Sequence, residues 1–159
     1  LMTRALASLL LAVILAVPAV GATAASDPWK ALQRGDYAAA EAAWLPLAER
    51  GEVAAQVFLG HLESMRDRHE AAAKWYRRAA AKGNVEAQVL LATQYLRGRG
   101  VPRDLVRAYA WYDLAATAGL TNAARARDMA TRQMSESEVA AARKLSKTWI
   151  AAGPPAEAD

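Results

Sequence analysis

The sequence contains no cysteine and only two histidines among its 159 residues. The lack of cysteine excludes a disulfide framework, a thiol nucleophile and thiolate metal ligands, and it excludes the modified cysteine of a bacterial lipoprotein. His61 and His69 fall on different predicted helices, and neither belongs to an HExxH or comparable ligand spacing. We therefore expect no metal site and no cofactor.

Motifs of nucleophilic catalysis are also missing, since the sequence has neither a G-x-S-x-G nor an S-x-x-K segment. The glycines of RGRGVPRD, residues 97–104, follow a predicted helix rather than a strand, so we interpret this segment as a turn between helices. Glu136 and Glu138 begin a predicted helix, where the helix dipole already accounts for paired acids. No catalytic residue is expected, and the chain is predicted not to be an enzyme.

Hydrophobic residues make up 54% of the chain, but alanine dominates them and only one phenylalanine is present. A composition rich in alanine and poor in β-branched residues favours helix over sheet. The length corresponds to about one domain.

The first 25 residues are typical of a secretory signal peptide. Arg4 supplies a positive charge, residues 5–17 are apolar apart from Ser8, and small residues follow Pro18. The apolar run of 13 residues is shorter than the roughly 20 that a spanning helix needs, which argues against the alternative of an uncleaved membrane anchor. Residues 1–25 are therefore predicted to be removed, leaving a periplasmic or secreted protein without a stable membrane span.

Export changes the meaning of the net charge, which is +4 for the whole chain. Arg4 is the single charged residue among the first 25, so its removal leaves +3. Outside the cytoplasm the available polyanions are acidic polysaccharides, lipid headgroups and acidic protein surfaces, and no nucleic-acid partner is expected. Because the basic residues are spread along the chain, they are mainly interpreted as a solvated helical surface.

Three glycines, Gly51, Gly83 and Gly119, end three similar segments and lie 32 and 36 residues apart. Before each glycine, small and aromatic residues recur eleven, eight, seven, four and three positions upstream, a spacing that forms one face of an α-helix. The glycine stands where a helix C-terminus needs positive φ. A second apolar stripe follows Gly51 and Gly83 at four, seven and eight positions, so each unit is predicted to be a pair of antiparallel helices. After Gly119, Arg127 and Asp128 replace the apolar pair, as expected where a stack of repeats ends.

The pairs Trp75-Tyr76 and Trp111-Tyr112 recur in step with these helices. Such pairs could form a stacking site for bases or sugars. Because they repeat in register with alanine and glycine, we interpret them as core residues that fill gaps between helices. One pair cannot bury both of its stripes, whereas stacked pairs can, and the predicted fold class is all-α, an α-solenoid of antiparallel helix pairs.

Residues 87–123 resemble the Sel1-like repeat, a relative of the tetratricopeptide repeat. The residues that carry the resemblance are Ala87, Leu91, Tyr95, Gly98, Gly100, Val101, Asp104, Ala108, Trp111, Tyr112, Ala115, Ala116 and Gly119. With lower fidelity the resemblance extends over most of the chain, and Gly60 is the family's helix glycine in the preceding copy. It implies an exported scaffold or regulator that holds another protein.

The predicted domain spans residues 26–152 and is followed by a disordered tail at 153–159. SESE at residues 135–138 is interpreted as a capping box that opens the last helix. The predicted helices cover residues 27–33, 36–50, 53–65, 69–82, 85–96, 104–118, 121–133 and 136–152.

The resemblance also implies that the first helix of each pair lines a concave groove. Positions six, ten and thirteen or fourteen after each glycine point away from the inward stripe, since two residues turn a helix by about 200°. We call these positions the predicted groove face; they are Val57, His61, Met65, Val89, Thr93, Arg97, Arg125, Met129 and Arg132. This mixture of apolar and basic residues suits a partner segment with an apolar anchor and flanking acids.

Two functions remain open at this point. The first is a non-enzymatic protein–protein interaction module, a scaffold or regulator in the cell envelope. The alternative is a component that binds an acidic polysaccharide during envelope or exopolymer assembly. Binding to a polyanion should weaken steeply with salt, whereas docking on an apolar groove should be less sensitive.

Overall fold

The computed structural model describes residues 27–155, and within them all regular secondary structure is helical. The helices are α1 (Pro28–Gln33), α2 (Tyr37–Glu49), α3 (Val53–Met65), α4 (His69–Ala81), α5 (Val85–Arg97), α6 (Leu105–Thr117), α7 (Thr121–Thr131) and α8 (Glu136–Ala152). Their bounds agree with the sequence prediction to within two residues. The predicted signal peptide and residues 156–159 of the predicted tail lie outside the described residues.

Side-chain caps fix where several helices begin. Asp36, Asn84 and Asp104 each accept a hydrogen bond from the backbone N–H three residues ahead, at distances between 2.8 and 3.0 Å. The predicted capping box is confirmed: the Ser135 hydroxyl accepts from the Glu138 N–H at 3.2 Å, and the Glu138 carboxylate accepts from the Ser135 N–H at 2.8 Å. These bonds satisfy backbone donors that have no partner inside the helix.

The three repeat glycines end their helices in the same way. Gly51, Gly83 and Gly119 have φ of 94°, 87° and 99°, in the left-handed region that favours glycine. Each glycine N–H donates to the carbonyl three residues back, and the next N–H donates to the carbonyl five residues back, at distances of 2.9–3.1 Å. This pair of hydrogen bonds is the Schellman motif, and it confirms the predicted helix ends.

A buried glutamine links each of the first two glycine turns to the helix that follows. Gln56 of α3 donates through Nε2 to the carbonyl oxygen of Ala48 in α2 at 3.0 Å. Gln88 of α5 does the same to Ala80 in α4 at 3.2 Å. Both glutamines lie five residues after a repeat glycine, and the third copy has alanine at that position. We call these two bonds the glutamine clamp, and the sequence pattern did not predict them.

The helices pack in chain order from α1 to α7, and α8 returns to pack against α6. A first apolar cluster joins α1, α2 and α3 around Trp44, with Trp75 of α4 packed against it. A second and larger cluster joins α3 through α6 and takes in Trp149 of α8. The fold is therefore a helical solenoid, as predicted, and α3 contributes to both of its apolar clusters.

The repeated aromatic residues lie in this core. Tyr76, Trp111 and Tyr112 are buried, and Trp111 packs on Trp149 with ring centroids 4.8 Å apart. Trp75 is half-buried, and the Arg78 guanidinium lies 5.0 Å from its ring centroid. The interpretation of the Trp-Tyr pairs as packing residues is confirmed for these side chains.

Gly60 of α3 faces the ring of Tyr76 in α4. A methyl group built on Gly60 would overlap ring carbons of Tyr76, so the absence of a side chain lets α3 and α4 approach closely. The loop after α5 makes a second close approach, because a methyl group on Gly100 would overlap the backbone of His69 and Glu70. RGRGVPRD is therefore a turn between helices, as predicted, and it lies against the start of α4.

A polar contact centred on Asp113 joins the last two helices to α6, in addition to the apolar packing of Trp149. Arg127 of α7 donates to Asp113 of α6 at 2.6 Å, and Ser146 of α8 donates to the other carboxylate oxygen of Asp113. Ser146 is buried, and Arg127 is half-buried beside the ring of Tyr109. Asp113 therefore fastens the last two helices to α6.

Candidate interaction surface

The nine residues of the predicted groove face divide into three classes of exposure. Val57 is buried, and three more are half-buried: His61, Val89 and Thr93. The remaining five are exposed: Met65, Arg97, Arg125, Met129 and Arg132. Four of these exposed residues lie at or near the C-terminal ends of their helices, and Arg125 lies in the middle of α7.

Val57 needs a correction, because only 7% of its surface is exposed and it belongs to the second apolar cluster. Ala55, Leu59 and Leu62 on the same helix belong to the first cluster. Since α3 packs against both α2 and α4, it has two buried faces rather than one. Val57 is thus a core residue and does not line an open surface. Val89 is half-buried and packs against the same second cluster.

His61 and Thr93 lie at equivalent positions of their repeats and contact equivalent tyrosines. The Tyr76 hydroxyl lies 3.3 Å from His61 Nδ1, and the Tyr112 hydroxyl lies 2.9 Å from Thr93 Oγ1. His61 Nε2 also lies 3.0 Å from a carboxylate oxygen of Glu86. Each tyrosine therefore has its ring in the core and its hydroxyl at the predicted groove face.

Burial raises the pKa of Tyr76 to about 12, and the nearby Glu86 carboxylate acts in the same direction. A hydrogen bond with Ser64 opposes these two effects. The raised pKa keeps the Tyr76 hydroxyl protonated at ordinary pH, so it acts here as a hydrogen-bonding partner of His61.

A shallow pocket of about 180 Å³ opens beside these groups. It brings Thr93 and Arg97 of the predicted groove face together with residues from α3, α4 and the turn after α5. Its lining residues are Ser64, Tyr76, Leu90, Thr93, Gln94, Arg97 and Arg99. Two arginines and an apolar leucine side chain suit an acidic segment with a small apolar anchor.

A second depression, of about 220 Å³, lies between α4, the turn after α5, and α6. We call it the basic cleft; it is lined by Glu70, Ala73, Lys74, Arg77, Tyr95, Gly100, Val101, Pro102 and Arg107. The sequence did not predict this cleft, because its three cations come from two helices that are separated in the chain. Only the alignment of Lys74 and Arg77 three residues apart on α4 was visible in the sequence.

The described residues, 27–155, contain no group of three or more histidine, cysteine or acidic side chains that could hold a metal ion. In that same part of the chain, none of the helices has the length and apolar character needed to cross a membrane.

Comparison with known proteins assigns the repeats. The family model of the Sel1 repeat matches residues 53–84 and 85–120, which contain the pairs α3–α4 and α5–α6. A solved structure of a protective antigen present in uropathogenic Escherichia coli strains, displaying an SLR fold, superposes with a TM-score of 0.71 at 29% sequence identity. The match covers 80% of this chain but 29% of that protein, so this chain spans less than a third of its length. Among curated proteins, none matches the chain.

The two matched repeats, the all-helical architecture and the similarity to an SLR-fold protein agree with one another. Repeats of this kind generally mediate protein–protein interaction. The chain therefore contains two tandem Sel1 repeats, α3–α4 and α5–α6, at the centre of a helical solenoid.

Proposed function

We propose that the protein is an exported, non-catalytic scaffold or regulator that holds a protein partner in the cell envelope. The observation that carries this proposal is the exposure of two large apolar side chains and three arginines at positions of the predicted groove face. Met65 and Met129 are 68% and 63% exposed, and Arg97, Arg125 and Arg132 are exposed on the corresponding helices.

Methionine suits such a role because its flexible, polarisable side chain adapts to different apolar partners. Exposed arginines form bidentate bonds with carboxylates and steer acidic partners towards a surface. The partner segment that fits this chemistry has an apolar anchor with acidic residues on either side. The half-buried His61 and Thr93 already bond to tyrosines of the fold, so they shape the surface.

Export is supported by the sequence of residues 1–25, in which one cation precedes an apolar run and small residues. Intact-mass measurement on protein recovered from the periplasm or medium tests this part of the proposal. We expect the recovered chain to begin between Thr23 and Ser26. Retention of residues 1–22 in the recovered protein would contradict cleavage.

The binding face is tested on a partner captured from the envelope fraction with the mature protein. Arg97→Glu combined with Arg132→Glu reverses two charges on the predicted groove face. We expect the affinity for the captured partner to fall by about tenfold or more, which corresponds to roughly 1.4 kcal/mol. The matched control is Arg143→Glu with Lys147→Glu on α8, which makes the same change in net charge at exposed positions.

Unchanged affinity in the groove variant, with its helical circular dichroism intact, would show that the face is wrongly assigned. An equal loss in both variants would indicate attraction by overall charge alone. A steep fall of affinity with salt in the unmodified protein would favour the alternative of an acidic polysaccharide.

A further inference from the structure

The shallow pocket of about 180 Å³ at the predicted groove face contains two cations, Arg97 and Arg99. We call it the arginine pocket. Both arginines are exposed, and within residues 27–155 neither guanidinium has an ion pair or a hydrogen bond. None of the described residues that line the pocket is acidic. The fold therefore leaves this positive charge unneutralised, which suits a carboxylate, the group that guanidinium binds in bidentate fashion.

The end of α5 fixes where these arginines lie. Gly98 ends the helix with a φ of 65°, and the Arg99 N–H donates to the Gln94 carbonyl oxygen at 3.0 Å, so Arg97 and Arg99 stand on either side of one tight turn. The Gln94 side chain lines the same pocket and is 6% exposed, and its Oε1 has no hydrogen-bond partner within the described residues. A buried polar atom of this kind calls for a water or a ligand group that supplies the missing bond.

A chain of hydrogen bonds connects the arginine pocket to His61. The Glu86 carboxylate lies 3.0 Å from His61 Nε2, the Tyr76 hydroxyl lies 3.3 Å from His61 Nδ1, and Tyr76 also bonds to Ser64. Tyr76 and Ser64 both line the pocket. Because an ionised carboxylate only accepts, neutral His61 carries its proton on Nε2, and its Nδ1 accepts from the Tyr76 hydroxyl. The Tyr76 oxygen then accepts from the Ser64 hydroxyl, so the Ser64 proton is not available to a ligand.

Protonation of His61 reverses the bonds of this chain beyond Nε2. Nδ1 then donates to the Tyr76 oxygen, the Tyr76 hydroxyl donates to Ser64, and the Ser64 proton becomes free for an acceptor in the pocket. From α2, which also packs against α3, Glu41 pairs with Arg66 rather than with His61. A proton taken up at His61 therefore adds both a hydrogen-bond donor and a nearby positive charge to the arginine pocket.

We propose that the arginine pocket binds the side-chain carboxylate of an acidic residue in the partner segment, and that protonation of His61 strengthens this binding through Tyr76 and Ser64. The proposal rests on the proposed function above, because the pocket belongs to the same surface. Leu90 supplies an apolar wall for the methylene groups that precede such a carboxylate. Binding is thereby coupled to proton uptake and is tighter at mildly acidic pH.

A short peptide tests the ligand chemistry. The probe is Ala-Leu-Glu-Ala, acetylated and amidated so that the glutamate carries its one charge, and NMR follows the amide signals of Leu90 and Thr93 during its titration into the protein. We expect these signals to shift. The same peptide with glutamine in place of glutamate should bind about tenfold more weakly, because it loses the charge-assisted bonds.

A glutamine peptide with a free carboxyl terminus separates the two sources of a carboxylate, and it should bind no better than the blocked glutamine peptide. Absence of shifts with the glutamate peptide, or equal affinity of the blocked glutamate and glutamine peptides, would overturn the proposal. Binding of the free-terminus peptide as tight as that of the glutamate peptide would overturn it as well, since the pocket would then take a chain end.

The role of His61 is tested with the glutamate peptide at about pH 6 and about pH 8. We expect the affinity to be roughly threefold to fivefold higher at the lower pH, because one further hydrogen-bond donor is then available. Tyr76→Phe keeps the charge of His61 but interrupts the chain of hydrogen bonds, so it should lose most of this pH dependence. The same pH dependence in Tyr76→Phe, with its circular dichroism unchanged, would overturn the proposed coupling.

The role of the two arginines is tested with Arg97→Gln combined with Arg99→Gln, which should weaken binding of the glutamate peptide by about tenfold or more. The matched control is Arg125→Gln with Arg132→Gln, which removes the same charge at exposed positions outside the pocket and should change the affinity by less than about twofold. Equal losses in the two variants would overturn the proposal, because net charge alone would then attract the peptide. These titrations need no captured partner, so their failure is distinguishable from failure of the charge reversal that tests the proposed function.

Discussion

At the scale of single residues, Tyr76 and Tyr112 each serve the core and the surface together. Their rings fill the space between two helices, while their hydroxyls bond to His61 and Thr93 on the predicted groove face. Truncating either tyrosine to alanine would therefore remove both the packing of the ring and the hydrogen bond of the hydroxyl. Substitution by phenylalanine separates the two effects, because it keeps the ring and removes the hydroxyl.

The raised pKa of Tyr76 predicts a loss of stability at alkaline pH. Its folded pKa of about 12 lies above the ordinary value of 10.0, so the folded state binds this proton more tightly than the unfolded chain does. The stabilisation is complete below about pH 10 and is lost as pH rises through 12, with a total of about 3 kcal/mol. We expect the difference in unfolding free energy between the unmodified protein and Tyr76→Phe to shift by most of this amount, roughly 2 kcal/mol, between about pH 9 and pH 12. Denaturant titrations measure it, and a difference that does not change with pH would contradict the prediction.

Trp111 is the aromatic residue whose removal should cost most. It is 2% exposed and packs on Trp149 of α8. We expect Trp111→Ala to lower the free energy of unfolding by about 3–5 kcal/mol, since truncating a buried aromatic residue leaves a cavity. The control is Ile150→Ala, at an exposed position of α8, for which a change within about 0.5 kcal/mol is expected. A near-neutral Trp111→Ala would revive the interpretation of the Trp-Tyr pairs as a ligand-stacking site.

At the scale of elements, α7 and α8 depend on Asp113 of α6. Asp113→Ala would remove the acceptor of both Arg127 and the buried Ser146 hydroxyl, leaving two polar groups without this partner. We expect a loss of about 2–3 kcal/mol in unfolding free energy, measured by denaturant titration. Asp128→Ala is the matched control, because Asp128 also bonds to Arg127 but its side chain is 66% exposed. For it we expect less than about 1 kcal/mol, and equal effects of the two variants would contradict the role of Asp113.

At the scale of the whole molecule, stability should vary along the solenoid. Inner helices have neighbours on two sides, whereas α1 packs mainly on α2. We expect hydrogen exchange to be fastest in α1 and slowest in α4 to α6, because local opening is easier where fewer neighbours hold a helix. Exchange measured on proteolytic peptides tests this gradient. Uniform protection would show a single cooperative unit instead.

Helix positions were predictable because local chemistry sets them: glycine turns end helices, and Asp36, Asn84, Asp104 and Ser135 begin them. The burial of Val57 was not predictable in the same way. A single apolar stripe describes a helix that packs against one neighbour, whereas α3 packs against both α2 and α4. The role of Asp113 was also missed, since it joins residues 14 and 33 positions apart. The basic cleft could not be predicted for the same reason, because its lining residues are far apart in the sequence.

The glutamine clamp has a consequence for how such a chain can grow. Gln56 of α3 and Gln88 of α5 each donate to a carbonyl oxygen of the preceding helix. Each of these two repeats therefore supplies the side chain that bonds it to the repeat before it. A duplicate of residues 85–120 placed directly after Leu120 would bring its own glutamine within reach of the Ala116 carbonyl. The present third copy has Ala124 at that position and is held through Asp113 instead. Lengthening by internal duplication would therefore repeat an existing contact, whereas α7 and α8 lack this glutamine and bond to α6 through Asp113.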